Sequence, residues 1–197
     1  MAAQLAKHIN GTPARIKWAK SVPTGGLTIS EFNETCGDVF KKGADIVLDS
    51  STKRQTTIAC EPCDKTEWKT SCEYIYAIVR NNIIMKIGGT RDGMAKRFAS
   101  YLCGHHVQER GKSGKMSVTN AHLYHSIETD LLNNDTSSWE FYTWKLPTVT
   151  LTVDVLGEDT TIVAQTFHAY ESRCIKKYKE TTGSIPPFCD NCDPGYV

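Results

Sequence analysis

Two Cys-x2-Cys pairs, Cys60-Glu61-Pro62-Cys63 and Cys189-Asp190-Asn191-Cys192, have the spacing that lets two thiolates reach one zinc ion. Cys72, Cys103, His105 and His106 are further candidate ligands. Pairs so distant in sequence share a metal only if the fold closes them together. The alternative is a set of isolated buried or surface thiols. Between Arg91 and Lys115 the chain carries six Lys or Arg (Arg91, Lys96, Arg97, Arg110, Lys112, Lys115) against Asp92 and Glu109, a local excess that suits phosphate. Within that run Arg97 has a planar fork matching two phosphate oxygens, and Tyr101, four residues on, shares its helical face. Each residue has a plainer reading as well: Arg97 as a surface cation paired with Asp92, Tyr101 as core beside Phe98 and Leu102.

The elements that must position these groups are best marked after Glu73. Tyr74-Ile75-Tyr76-Ala77-Ile78-Val79-Arg80 and Ile83-Ile84-Met85-Lys86-Ile87-Gly88 are β-rich runs separated by Asn81-Asn82. Asn tolerates the positive φ of a tight hairpin turn, so the pair predicts an antiparallel hairpin ending at Gly88-Gly89-Thr90. Met94, Phe98, Tyr101 and Leu102 recur at helical spacing and predict a helix from Asp92 to Leu102. Leu123, Ile127 and Leu131 predict another, capped at Thr119 or Asn120. Trp139 to Trp144 and Val149 to Val155 alternate as strands, with a turn at Gly157-Glu158-Asp159 and a return strand over Thr160 to Val163. A final helix is expected from Gln165 to Thr181, ended by Gly183 and Pro186-Pro187. Residues 1–71 read as an N-terminal arm holding one short helix near Ser30 to Lys41, and residues 72–197 as the main domain. The order predicts an α+β fold, helices packed on a small, mostly antiparallel sheet.

Composition sets wider bounds. At 197 residues, 40% hydrophobic and 23% charged, the chain matches an ordinary folded domain and not a disordered or fibrous one. A net charge of +1 carries no global signature of nucleic-acid binding, so only the local basic run speaks to it. No apolar run approaches the length needed to span a bilayer, and the start lacks a secretory apolar core; an intracellular, cytoplasmic setting with reduced thiols is the expectation.

At the hairpin the sequence resembles the GIY-YIG nuclease family, whose members open with a strand bearing Gly-Ile-Tyr followed by one bearing Tyr-Ile-Gly and x-Thr. Tyr74-Ile75-Tyr76 stands at the first motif and Lys86-Ile87-Gly88-Gly89-Thr90 at the second. Arg97 matches the family's Arg on the next helix, and Tyr101 stands where a His is common. Glu171, in His168-Ala169-Tyr170-Glu171, matches the later helical Glu, and Pro187 and Asn191 match a closing Pro-then-Asn segment. The likeness runs from Tyr74 to Asn191. Ser100-Tyr101 through Ser117-x-Thr119-Asn120, and Gly183 to Pro187, resemble the restriction-enzyme branch. Tyr74 replaces Gly, Lys86 replaces Tyr and Tyr101 replaces His, which leaves the general base and its assistants open; His105 and His106 lie close enough in sequence to substitute, or are metal ligands or bystanders.

The resemblance implies a type II restriction endonuclease cutting double-stranded DNA as a homodimer. It implies Tyr76 as general base, Arg97 as phosphate clamp, Tyr101 as a partner of water or of Tyr76, and Glu171 as ligand of one Mg²⁺ or Mn²⁺. A phenol serves as base only when partly ionised, which needs a nearby cation; Lys86 would supply it if it shares a face of the hairpin with Tyr76. Arg110, Lys112, Lys115, Asn120 and Asn191 are candidate DNA contacts, and Cys60, Cys63, Cys189 and Cys192 candidate ligands of a structural Zn²⁺. Two other readings stand beside this one: a low-specificity repair or mobile-element nuclease, and a zinc-stabilised DNA-binding module without catalysis.

Overall fold

The structure is a computed structural model that describes residues 7–51, 54, 56–106 and 118–189. Arg110, Lys112, Lys115, Asn191 and Cys192 lie outside those residues. Along the described chain run α1 (Thr12–Trp18), α2 (Ile29–Cys36), β1 (Lys41–Leu48), β2 (Ile58–Pro62), α3 (Lys65–Lys69), β3 (Tyr74–Arg80), β4 (Ile83–Thr90), α4 (Met94–Leu102), a 3-10 turn (Cys103–His106), α5 (Val118–Asn133), β5 (Trp139–Lys145), β6 (Val149–Val155), β7 (Glu158–Ala164) and α6 (Phe167–Thr182).

Asn81 and Asn82 take φ of 46° and 68°, so the turn between β3 and β4 has the mirror-image geometry that follows strand twist. The hairpin joins a five-stranded sheet of order β2-β1-β5-β3-β4 in which every neighbouring pair is antiparallel. Alternation along β3 sends Tyr74, Tyr76 and Ile78 to one face and Ile75, Ala77 and Val79 to the other. Phe98, Tyr101, Leu123 and Ile127 of α4 and α5 cover the first face. Ile29 and Phe32 of α2 and Phe167, Cys174 and Tyr178 of α6 cover the second. The result is the expected α+β class, three layers with β3 buried on both sides and β4 at an edge.

The stretch expected as an arm is woven into this domain. Residues 41–62 supply β1 and β2, and α2 packs in the core. The two strands escape a periodicity search because Lys41-Lys42-Gly43-Ala44-Asp45 is polar and half exposed. The helix expected over Ser30 to Lys41 ends at Cys36, since Gly37 and Asp38 turn left-handed with φ of 80° and 56°. Its cap is Thr28: Thr28 and Glu31 hydrogen-bond reciprocally, completing the capping box. Upstream, α1 is tied to α5 by Arg15 Nη1 to Glu128 at 3.0 Å and by the Lys20 N–H to Ser126 Oγ at 2.8 Å.

Asp130 locks α5 to the sheet. It accepts two hydrogen bonds from Arg80, at 2.8 and 2.9 Å, and one from the Trp139 indole at 2.7 Å. Asp130→Ala removes the acceptor for all three and strands a mostly buried guanidinium, so it is expected to cost about 3–5 kcal/mol in urea unfolding. Burial alone would raise the Asp130 pKa; the bonds from Arg80 and Trp139 outweigh it and hold the group below its usual value. A depressed folded-state pKa gives stability that is present above the ordinary carboxylate range and is lost as pH falls through the folded value. The variant is therefore expected to lose part of the wild type's acid sensitivity.

Strands β6 and β7 form a separate two-stranded ribbon between β5 and α6. Its turn is Leu156-Gly157, with φ of 57° and 87°, one residue earlier than expected. Glu73 clamps its root: the carboxylate accepts from the Thr166 N–H and hydroxyl, and the Glu73 carbonyl accepts from the Leu146 N–H at 2.9 Å. No helix among the described residues is long and apolar enough to cross a membrane.

Candidate active site

The register of β3 against β4 sets Tyr76 opposite Gly88 and Ile78 opposite Lys86, so Tyr76 and Lys86 share a face, as the base hypothesis required. The Tyr76 ring folds over Gly88 so closely that a Cβ there would overlap its hydroxyl. Gly88→Ala is accordingly expected to displace the Tyr76 hydroxyl and strongly reduce any activity that depends on it, with the far-ultraviolet circular dichroism spectrum unchanged.

From α4, Arg97 and Tyr101 reach the same point. The two tyrosine hydroxyls are 2.5 Å apart, Arg97 Nε donates to Tyr76 at 2.7 Å, and Arg97 Nη2 donates to Tyr101 at 3.1 Å. Tyr76 is fully buried and Tyr101 nearly so. Burial and the neighbouring Tyr101 oxygen push the Tyr76 pKa well above its usual value, and Arg97 opposes them. The phenol is thus protonated at neutral pH in this state of the protein. Burial disfavours the charged Arg97, yet the two tyrosine oxygens outweigh it and raise the Arg97 pKa.

Lys86 finds its hydrogen-bond partner away from Tyr76. Lys86 is 8% exposed and its amine donates to the Phe188 carbonyl at 2.8 Å; the cation in contact with Tyr76 is Arg97. The reason lies in residues 186–189, which run along the open side of β4. The Phe188 N–H bonds to the Met85 carbonyl at 2.9 Å, and Cys189 Sγ both donates to the Ile87 carbonyl and accepts the Ile87 N–H.

Glu171 sits on α6, which packs on the other face of the sheet, so two faces have to communicate for one site to form. The double glycine at the edge makes this possible. The Glu171 carboxylate accepts from the Gly89 N–H, and a Cβ on Gly89 would lie 3.0 Å from its Oε2 and 2.6 Å from the Phe167 ring. Tyr76 therefore covers Gly88 from one side and Glu171 approaches Gly89 from the other, on adjacent residues whose Cα atoms are about 3.8 Å apart. Burial raises the Glu171 pKa, and the charges of Lys86, Arg97 and His168 draw it back. Lys86 and Arg97 act electrostatically on Glu171 from the Tyr76 side, which links the two halves.

Other expected residues fall elsewhere. The Asn120 amide donates to the Ser100 carbonyl at 3.1 Å and braces α5 on α4. The His105 ring packs 5.7 Å from the Tyr124 ring. Cys60 lies on β2 and Cys189 beside β4, at opposite edges of the sheet and so about 19 Å apart at about 4.8 Å per strand step. Cys60 and Cys189 therefore do not meet, and Cys192 lies outside the described residues. Among the described residues no group of three or more His, Cys, Asp or Glu could hold a metal ion. Sequence reasoning missed the Phe188 carbonyl, the Cys189 anchor and the use of both glycines. Only the glycines left a signal, since Gly-Gly inside a strand marks close approach.

No family model matches the sequence, and no curated protein matches it. Solved structures share the fold, among them the following two. Restriction endonuclease HPY188I in complex with product DNA is 20% identical with a TM-score of 0.52, covering 84% of this chain and 87% of its own. A mutant of bacteriophage T4 EndoII is 20% identical with a TM-score of 0.50, covering 82% of this chain and 98% of its own.

Proposed function

We propose that this chain is a metal-dependent endonuclease of GIY-YIG type that hydrolyses double-stranded DNA, in the manner of a type II restriction enzyme. The observation that carries the reading is the Tyr76–Arg97–Tyr101 cluster bonded together at the β4 edge, with Glu171 against the adjoining glycine. The two structures of the same fold bear names of nucleases, one of them held with product DNA.

The residues divide the work by their chemistry. Tyr76, once ionised, takes the proton of the attacking water, and Arg97 favours that phenolate. Two of the five Arg97 donors hold the tyrosines, which leaves the rest of its fork for phosphate oxygens as charge builds on phosphorus. Tyr101 fixes both partners. Lys86, held by the Phe188 carbonyl, adds positive charge between Tyr76 and Glu171.

Glu171 offers one hard oxygen donor, which fits Mg²⁺ or Mn²⁺, cations that keep several waters and take further oxygens from substrate phosphate. When bound, such a cation supplies positive charge to the departing 3′ oxygen. Palindromic recognition sites match two-fold protein symmetry, so the active species is a homodimer. Plasmid digestion with Mg²⁺ tests the whole reading. Discrete fragments support site-specific cleavage, a smear supports the low-specificity alternative, and intact DNA across many sequences refutes the nuclease.

A further inference from the structure

Strand β4 is an edge of the sheet, and its outward backbone groups need partners other than β3. Near its start the Ile84 N–H donates to the Leu27 carbonyl at 3.0 Å. Near its end the Gly89 N–H donates to Glu171. Residues 186–189 fill the interval. The Phe188 N–H donates to the Met85 carbonyl at 2.9 Å, and Cys189 Sγ accepts the Ile87 N–H at 3.4 Å while donating to the Ile87 carbonyl at 3.2 Å. A thiol is a weak donor and a weak acceptor; here one thiol uses both capacities on a single residue, in the place of a missing strand.

The same stretch of β4 carries a β-bulge. Val79 pairs with Ile84 and Ile78 with Lys86, so Met85 is one residue more than β3 can oppose. The extra residue changes the way the strand faces. In a regular strand residues 84 and 86 would share a face, yet Ile84 packs on the α6 side while Lys86 stands opposite Ile78 on the Tyr76 side. Residues 186–189 grip the bulge on both flanks, through the Met85 carbonyl and through Ile87. The Phe188 side chain is buried in the cluster that contains Tyr76, and its carbonyl accepts from the Lys86 amine. The Cys189 N–H donates to the Pro186 carbonyl at 2.9 Å and closes the segment into a turn.

We propose that residues 186–189 are a positioning strap, fastened by the Cys189 thiol, which holds the bulge at Met85 and so fixes the Lys86 amine on the Tyr76 side of the edge. Lysine ends a long flexible stem, and the Phe188 carbonyl gives that end one place to sit. A charge that acts on both Tyr76 and Glu171 has to keep its place, because a displacement of about 1 Å costs up to about 10²-fold in rate. Cys189 and Glu171 hold successive outward positions, Ile87 and Gly89, about 6.6 Å apart at about 3.3 Å per residue. The strap thus ends where the Glu171 carboxylate takes over the edge. Its part in cleavage rests on the endonuclease reading; the placement of Lys86 does not, and the two are measured separately.

Amine footprinting on the full chain reads the placement without any cleavage. Acetic anhydride followed by peptide mass spectrometry is expected to modify Lys86 far more slowly than the exposed Lys96 and Lys145. Cys189→Ala cannot bond to Ile87 and is expected to raise the Lys86 rate about tenfold, measured well below the melting temperature. Cys189→Ser can make both bonds and is expected to stay near wild type. Single-turnover cleavage reads the consequence: Cys189→Ala is expected to slow the step about tenfold with DNA affinity unchanged, and to add no further loss in a Lys86→Met background. A Lys86 labelling rate indifferent to Cys189→Ala, or a cleavage loss of the same size in both backgrounds, would overturn the proposal. Plasmid left intact by wild type would remove the nuclease reading alone, and the footprint would still decide the strap.

Discussion

Tyr76→Phe is expected to slow the chemical step by about 10²–10⁴-fold, the usual worth of a general base, with DNA affinity and melting temperature close to wild type. The ring keeps its packing against Phe141 and Tyr101, so the core is not opened. What disappears is one oxygen, the one that Arg97 and Tyr101 both address. Single-turnover cleavage with enzyme in excess separates this loss from binding. The pH dependence adds a second sign. Burial and Tyr101 hold the Tyr76 pKa well above its ordinary value, so its base form is scarce at neutral pH and grows as pH rises. The wild-type rate is expected to climb through the neutral range and beyond, and the residual rate of the variant to lose that slope.

Glu171→Gln is expected to cost about 10²–10³-fold in the same assay and to abolish most of the response to added Mg²⁺ or Mn²⁺. The substitution keeps size and the capacity to accept from the Gly89 N–H, and removes only the charge. Titration calorimetry with Mn²⁺ supplies a readout that needs no cleavage. Because burial raises the Glu171 pKa, proton and cation compete for the carboxylate at a pH above the normal carboxyl range. Cation affinity should therefore fall as pH drops through that raised value and level off above it. A variant that binds Mn²⁺ as wild type does would remove Glu171 from the role.

The part of the fold legible from sequence is the part with strong local codes. Asn81-Asn82 specified the hairpin turn, and the helices bearing Arg97 and Glu171 fell within a few residues of their predicted places. The candidate set of Tyr76, Arg97 and Tyr101 came from the family resemblance, and the strand and helix that carry it each have clear periodicity. What stayed hidden depends on distant pairing. Strands β1 and β2 sit in the polar, half-exposed margin of the sheet, where alternation is weak and only the pairing of β1 with β5 and of β2 with β1 makes them strands. The partner of Lys86 is a backbone carbonyl 102 residues away, which no side-chain pattern announces. Cys-x2-Cys spacing is likewise local, and it carries no information on whether the two sheet edges that hold Cys60 and Cys189 come together.

The central claim is that the groups on the two sides of the Gly88-Gly89 edge act on one phosphate. A double-mutant cycle in single-turnover plasmid cleavage tests it most directly, using Tyr76→Phe, Glu171→Gln and both together. Groups that serve one transition state are strongly non-additive, so the double variant should be little slower than the worse single one. A double variant slower by the full product of the two single losses would place the residues in separate functions.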